Sequence, residues 1–195
     1  RRRMTRDSIL LARQPVYDKQ LNVSAYELLF HPPTDADPNT WNADQETMSV
    51  LVNAFTEIGI GQVSDNKTAF IHFTRSWLLS PPPLEPQHVT IQILKSTVAD
   101  PEILEAIRQL RERGFAIALE CAGGMQEWDA LLKLAHVIMV DVSTLKGDTL
   151  EKLVVYLKKF PVKLLAQKVE NYTVFEHCAK LGFDIFQGGF LCRPQ

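Results

Sequence analysis

Between His136 and Ala166 the chain reads HVIMVDVSTLKGDTLEKLVVYLKKFPVKLLA, and this stretch decides the fold. His136 to Val140 is a short apolar run of the kind that forms a strand buried on both faces. Leu150 to Lys159 has a helical pattern, and Val162 to Ala166 is extended and apolar again. A strand, an amphipathic helix and a second strand make one parallel crossover unit.

The same rhythm continues on both sides. Phe115 to Leu119 is a buried strand followed by a helix over Glu127 to Leu134, and Val174 to Leu181 is a helix followed by an extended Asp184 to Phe186. The last four strands thus begin near residues 115, 136, 162 and 184, at intervals of 21, 26 and 22. Further upstream lie strands at Val89 to Leu94 and Ala69 to Phe73. A helix runs from Pro101 to Arg113, with proline in its first turn and Gly114 at its end. A short helical piece starts near Arg75 and meets Pro81-Pro82-Pro83. From Asp44 to Ile58, Met48, Leu51, Val52, Phe55 and Ile58 recur at helical spacing, and Gly59 and Gly61 end that helix.

The beginning of the chain is different. Ile9 to Arg13, closed by Gln14-Pro15, and Val23 to Phe30 are extended runs joined across Tyr17-Asp18-Lys19-Gln20, the pattern of an antiparallel hairpin. His31 to Trp41, with Pro32, Pro33 and Pro38, reads as a loop. Eight strands in this order predict an α/β fold, a TIM-type (β/α)8-like barrel with an antiparallel first strand. At 195 residues it is lean for a fold that typically takes about 250. No GxGxxG follows the first strand, which weighs against an open dinucleotide-binding sheet.

Composition narrows the function classes. The chain is 46% hydrophobic and 23% charged with a formal net charge of -2, against the basic excess of nucleic-acid or anionic-membrane binding. Residues 1–7 read as a basic tail whose Arg1-Arg2-Arg3 is a solvated terminus, and residues 8–195 as the barrel domain. No stretch approaches the roughly 20 apolar residues that cross a bilayer. Cys121, Cys178 and Cys192 are odd in number and lack a CxxC pair, so they read as reduced thiols of a cytoplasmic protein.

In a barrel of this kind chemistry belongs at the C-terminal ends of the strands. Those ends carry Gln14, Glu27, His72, Gln92, Glu120-Cys121, Asp141, Gln167 and Gln187, a polar ring on an apolar scaffold.

Several segments in order resemble the EAL domain family, in the variant linked to HDOD modules. They are Arg13-Gln14-Pro15-Val16-Tyr17-Asp18, Tyr26-Glu27-Leu28-Leu29-Phe30 and Thr90-Ile91-Gln92-Ile93-Leu94-Lys95. Ile138-Met139-Val140-Asp141, Leu165-Ala166-Gln167-Lys168-Val169-Glu170 and Phe186-Gln187-Gly188-Gly189-Phe190 follow, with Arg193-Pro194 closing the tail. The resemblance implies hydrolysis of cyclic di-GMP with two magnesium or manganese ions, which need anionic oxygen ligands.

The residues depart from what the resemblance implies. Glu27 matches the signature glutamate, Glu170 matches within its motif, and Gln187 is kept. The family's asparagine falls on His72, its next metal-binding glutamate on Gln92, and its aspartate pair on Glu120 and Cys121. Its lysine falls on Met139, its sixth-motif glutamate on Gln167, the arginine near the signature on His31, and a tyrosine on Gly189. Amides keep the shape of carboxylates but cannot repay the dehydration of Mg²⁺. Each lost electrostatic group of this kind costs about 10²–10³ in rate.

The expectation is an inactive relative without a resident metal, signalling through protein partners or an adjacent HDOD-like domain after Gln195. The wider family's dimer uses the region after the fifth and sixth strands. Ala122-Gly123-Gly124-Met125 replaces the usual sequence there, which leaves a homodimer open. Two other readings remain: a receptor that binds cyclic di-GMP without cleaving it, and an active enzyme with a rearranged metal site. His72 also suits a hydrogen-bonded rim residue, Cys121 an inert thiol and Met139 a packing residue. A softer alternative gathers zinc between Glu27, His72, Glu120 and Cys121.

Overall fold

A computed structural model describes residues 10–31, 59, 61, 64–121, 128–145 and 147–191. The basic tail, the loop expected from His31 to Trp41 apart from His31 itself, which ends β2, the helix expected over Asp44 to Ile58, the 122–125 segment, Glu127, Cys192 and the Arg193-Pro194 tail lie outside the described residues.

Eight strands close into a barrel in sequence order. They are β1 (Leu10–Asp18), β2 (Val23–His31), β3 (Thr68–His72), β4 (Val89–Ile93), β5 (Ala116–Glu120), β6 (Val137–Asp141), β7 (Lys163–Gln167) and β8 (Ile185–Phe186). β1 runs antiparallel to both β2 and β8, and every other neighbouring pair is parallel. Among the described residues the helices are α1 (Arg75–Leu79), α2 (Pro101–Glu112), α3 (Asp129–Leu132), α4 (Thr149–Leu157) and α5 (Tyr172–Leu181).

Strand alternation divides the apolar residues into two cores. Val16, Ala25, Phe70, Ala118, Val137, Met139 and Leu165 fill the barrel axis. Ile71, Ile91, Ile117, Leu119, Ile138, Val140, Leu164 and Phe186 face outward and pack with helix residues such as Ile103, Ile107, Leu110, Val154 and Phe175. The fully buried Phe73, Phe115, Phe183 and Phe186 contribute about 1.5–3 kcal/mol each to this outer layer.

Local chemistry sets the helix limits. The Asp100 carboxylate accepts the Ile103 N–H at 2.9 Å at the start of α2, where Pro101 has no N–H to satisfy. The Asn171 side-chain oxygen accepts the Val174 N–H at 2.9 Å, and Gly182 ends α5 in the left-handed region at φ +109°.

Two differences from the sequence reading have clear causes. β1 does not stop at Arg13 but runs on through Pro15 to Asp18. Proline is tolerated because β1 meets β8 only at Tyr17 and Asp18, so no ladder bond is needed on that side of Pro15. β5, β6 and β7 each extend one residue past the last apolar position, to Glu120, Asp141 and Gln167. Pairing is a property of the backbone, so a polar side chain at the mouth does not end the ladder.

Candidate functional site

Two residues beyond the axial core, the same alternation carries Glu27, His72, Glu120, Asp141, Gln167 and Gln187 to one mouth of the barrel. Gln92 stands two positions beyond Thr90, and Gln14 two before Val16 on the reversed β1. The backbone register sets Gln14 beside Glu27, His72 beside Gln92, Glu120 beside Met139, and Asp141 beside Gln167. The ring expected from sequence is therefore assembled by the strands.

Glu27, Gln92 and Gln187 are buried. The Gln187 amide donates to the Glu27 carboxylate at 3.0 Å. Burial pushes the Glu27 carboxyl above its usual range, the Gln187 amide pulls the other way, and nearby Glu120 adds to the rise. Gly188 holds this corner close. A Cβ there would lie 2.1 Å from the Val169 carbonyl oxygen, and the Val169 N–H donates to the Gln187 carbonyl at 3.0 Å.

Across the mouth, Glu120 accepts the Lys95 backbone N–H at 3.1 Å. Asp141 accepts both the Ser143 N–H at 3.0 Å and the Ser143 hydroxyl at 2.6 Å. The Lys168 ammonium lies 2.6 Å from the other Asp141 oxygen. Burial alone would raise the Asp141 carboxyl, but Lys168 and Ser143 together outweigh it and hold the carboxyl below its usual range. Met139 is fully buried in the axial core, with apolar side chains around it.

Lys168 is the residue that the sequence reading quoted without a role. Its φ is +59°, a left-handed conformation costing a lysine roughly 1–2 kcal/mol. Its pair with Asp141 is 65% exposed on the lysine side, and such pairs contribute about 0–1 kcal/mol. Only its place one residue past a strand end marked it in the sequence.

Cys121 departs from the expected pocket. It follows β5, its side chain packs against the core between barrel and helices, and burial pushes its thiol above the usual range. Glu170 and His72 are exposed at the rim. The zinc alternative is not met. Among the described residues no three His, Cys, Asp or Glu side chains gather to hold a metal ion, and Cys121 stands outside the axial core.

A cavity of about 620 Å³ opens at the opposite mouth, lined by the strand starts Thr68, Thr90, Ala116, Val137, Lys163 and Ile185 among others. Short side chains leave this end unfilled, and none of the polar ring lines it.

No helix among the described residues is long and apolar enough to cross a membrane. The EAL domain family matches residues 40–194. The chain is 29% identical to uncharacterized protein YuxH of Bacillus subtilis strain 168, over 96% of this chain and 47% of that one. It is 26% identical to cyclic di-GMP phosphodiesterase CdgJ of Vibrio cholerae, over 95% and 44% respectively. The chain thus spans about half the length of the curated relatives it matches. Among solved structures, the PaMucR phosphodiesterase in complex with c-di-GMP superposes with a TM-score of 0.74 at 20% identity, covering 96% of each chain.

Proposed function

The chain belongs to the EAL domain family, and from that premise we propose that it is a domain without phosphodiesterase activity, acting in bacterial signalling through protein contacts. The observation that carries this reading is the state of the mouth. Two-metal hydrolysis needs anionic oxygens free to hold both cations. Here Glu27 is buried against the Gln187 amide, Asp141 is engaged by Lys168 and Ser143, and Gln92 and Gln167 are neutral. This donor set does not fit a pair of divalent ions. Among the described residues the axis also carries no fixed cation for phosphate, and Met139 shares its apolar cluster with Phe70 and Leu165.

The cytoplasm as location, and a helical module of the HDOD type as partner, belong to the same proposal. The relatives' own length, about twice the matched part, supports a neighbouring domain in proteins of this kind.

Turnover tests the reading. The purified protein, incubated with cyclic di-GMP and either Mg²⁺ or Mn²⁺, is expected to release no linear dinucleotide above a protein-free control. Metal-dependent product that disappears in Glu27→Ala would overturn it.

A further inference from the structure

The mouth holds a feature that stability does not explain. Lys168 adopts φ +59°, where glycine would rest without strain, and spends that strain on a mostly exposed ion pair. Both flanks force the conformation. Gln167 is held in β7 opposite Asp141, while the buried Val169 is fixed by its N–H bond to Gln187 and by the close passage of Gly188. Between these anchors the lysine turns left-handed, and its ammonium reaches Asp141 Oδ2 at 2.6 Å. Asp141 Oδ1 is taken at the same time by the Ser143 N–H and hydroxyl, so both oxygens of this carboxylate are engaged.

We propose that Lys168 is the resident cation of this mouth: its ammonium satisfies Asp141 and thereby excludes a divalent ion from that carboxylate. The inference rests on the reading of the site as one that does not fit metals, and it names the residue that keeps it so. An ammonium and a divalent ion cannot share this carboxylate at short range without strong repulsion. The backbone arrangement makes the lysine's position a property of the fold, since its neighbours are tied into β7 and β8.

The test measures Mn²⁺ affinity of the whole chain by electron paramagnetic resonance of the free ion, for the wild type, Lys168→Met, Lys168→Gly and Lys168→Arg. Lys168→Met removes the charge and keeps the strain, whereas Lys168→Gly removes both. Circular dichroism melts establish that each variant is folded. At least tenfold tighter Mn²⁺ binding is expected in the Met and Gly variants, with Arg close to wild type. Met and Gly affinities within twofold of wild type, or an Arg variant that gains as much as Met, would overturn the proposal. Wild-type turnover of cyclic di-GMP would defeat the proposed function alone, because the role of Lys168 is judged by the ratio between variants.

Discussion

On one side of the barrel mouth Glu27 is buried and answered by a neutral amide. On the other, Asp141 lies nearer to solvent and is answered by a full positive charge. The two sides satisfy a carboxylate in opposite ways, with opposite electrostatic consequences. Burial drives Glu27 toward its protonated form, while Lys168 and Ser143 hold Asp141 in its ionised form. Both Asp141 oxygens are engaged, and on Glu27 the oxygen facing Gln187 is engaged by its amide. A count of acidic residues would have missed this, because what decides the chemistry is what each carboxylate already touches.

The strongest way to break the comparison is to place a second cation in the barrel axis beneath both sides. Met139→Lys puts an ammonium among Val16, Ala25, Phe70, Ala118 and Leu165, next to Glu120 in register. An uncompensated buried charge of this kind is expected to cost about 3–5 kcal/mol in urea denaturation. An unchanged midpoint would show that Glu27 and Glu120 carry negative charge ready to pair, against the account.

A smaller effect comes from removing the amide. Gln187→Leu leaves the Glu27 carboxyl buried without its donor, at an expected cost of about 1–3 kcal/mol by the same measurement. Loss of less than a few tenths would mean that water replaces the amide freely.

The pH dependence sharpens the contrast without breaking it. The folded Glu27 carboxyl titrates above its ordinary value of 4.5, so its contribution is fully present below that pH and is lost as pH rises through the raised value. Glu27→Gln should flatten this decline in thermal melts recorded upward from pH 4.5. Asp141 has the opposite sign. Its contribution is present above the ordinary 3.8 and is lost as pH falls below it, so Asp141→Asn should flatten the acid limb instead. Identical profiles for the two variants would remove the distinction between the two sides.

The smallest expected change is Lys168→Gly. Relief of the left-handed strain outweighs the loss of an exposed ion pair, so stability should rise by up to about 1 kcal/mol. A clear loss would assign the pair a structural role.

Much of this architecture was legible in the sequence. The buried runs of β4, β6 and β7 stand out because both faces of a barrel strand are apolar, and Pro101, Gly114 and Gly182 mark helix ends by their backbone preferences. The passage of β1 through Pro15 was not legible, since it depends on which edge of β1 lacks a partner. The ring residues were found because strand alternation and the segment order both point to them. Cys121 was misplaced because its sequence neighbour Glu120 faces the axis, whereas the next residue along a strand faces the helices. Lys168 could not be assigned, because nothing in a lysine announces a positive φ. Only the anchoring of Val169 by Gln187 and Gly188, distant in sequence, imposes it.

Calorimetric titration of the purified domain with cyclic di-GMP, with and without Mg²⁺ or Mn²⁺, tests the central claim most directly. The account predicts no saturable heat in any of these conditions, because the described residues of the mouth gather no metal cluster and the Lys168 ammonium is already paired with Asp141. Saturable binding that requires the metal would contradict it, and tight binding without metal would make the domain a receptor for the nucleotide instead.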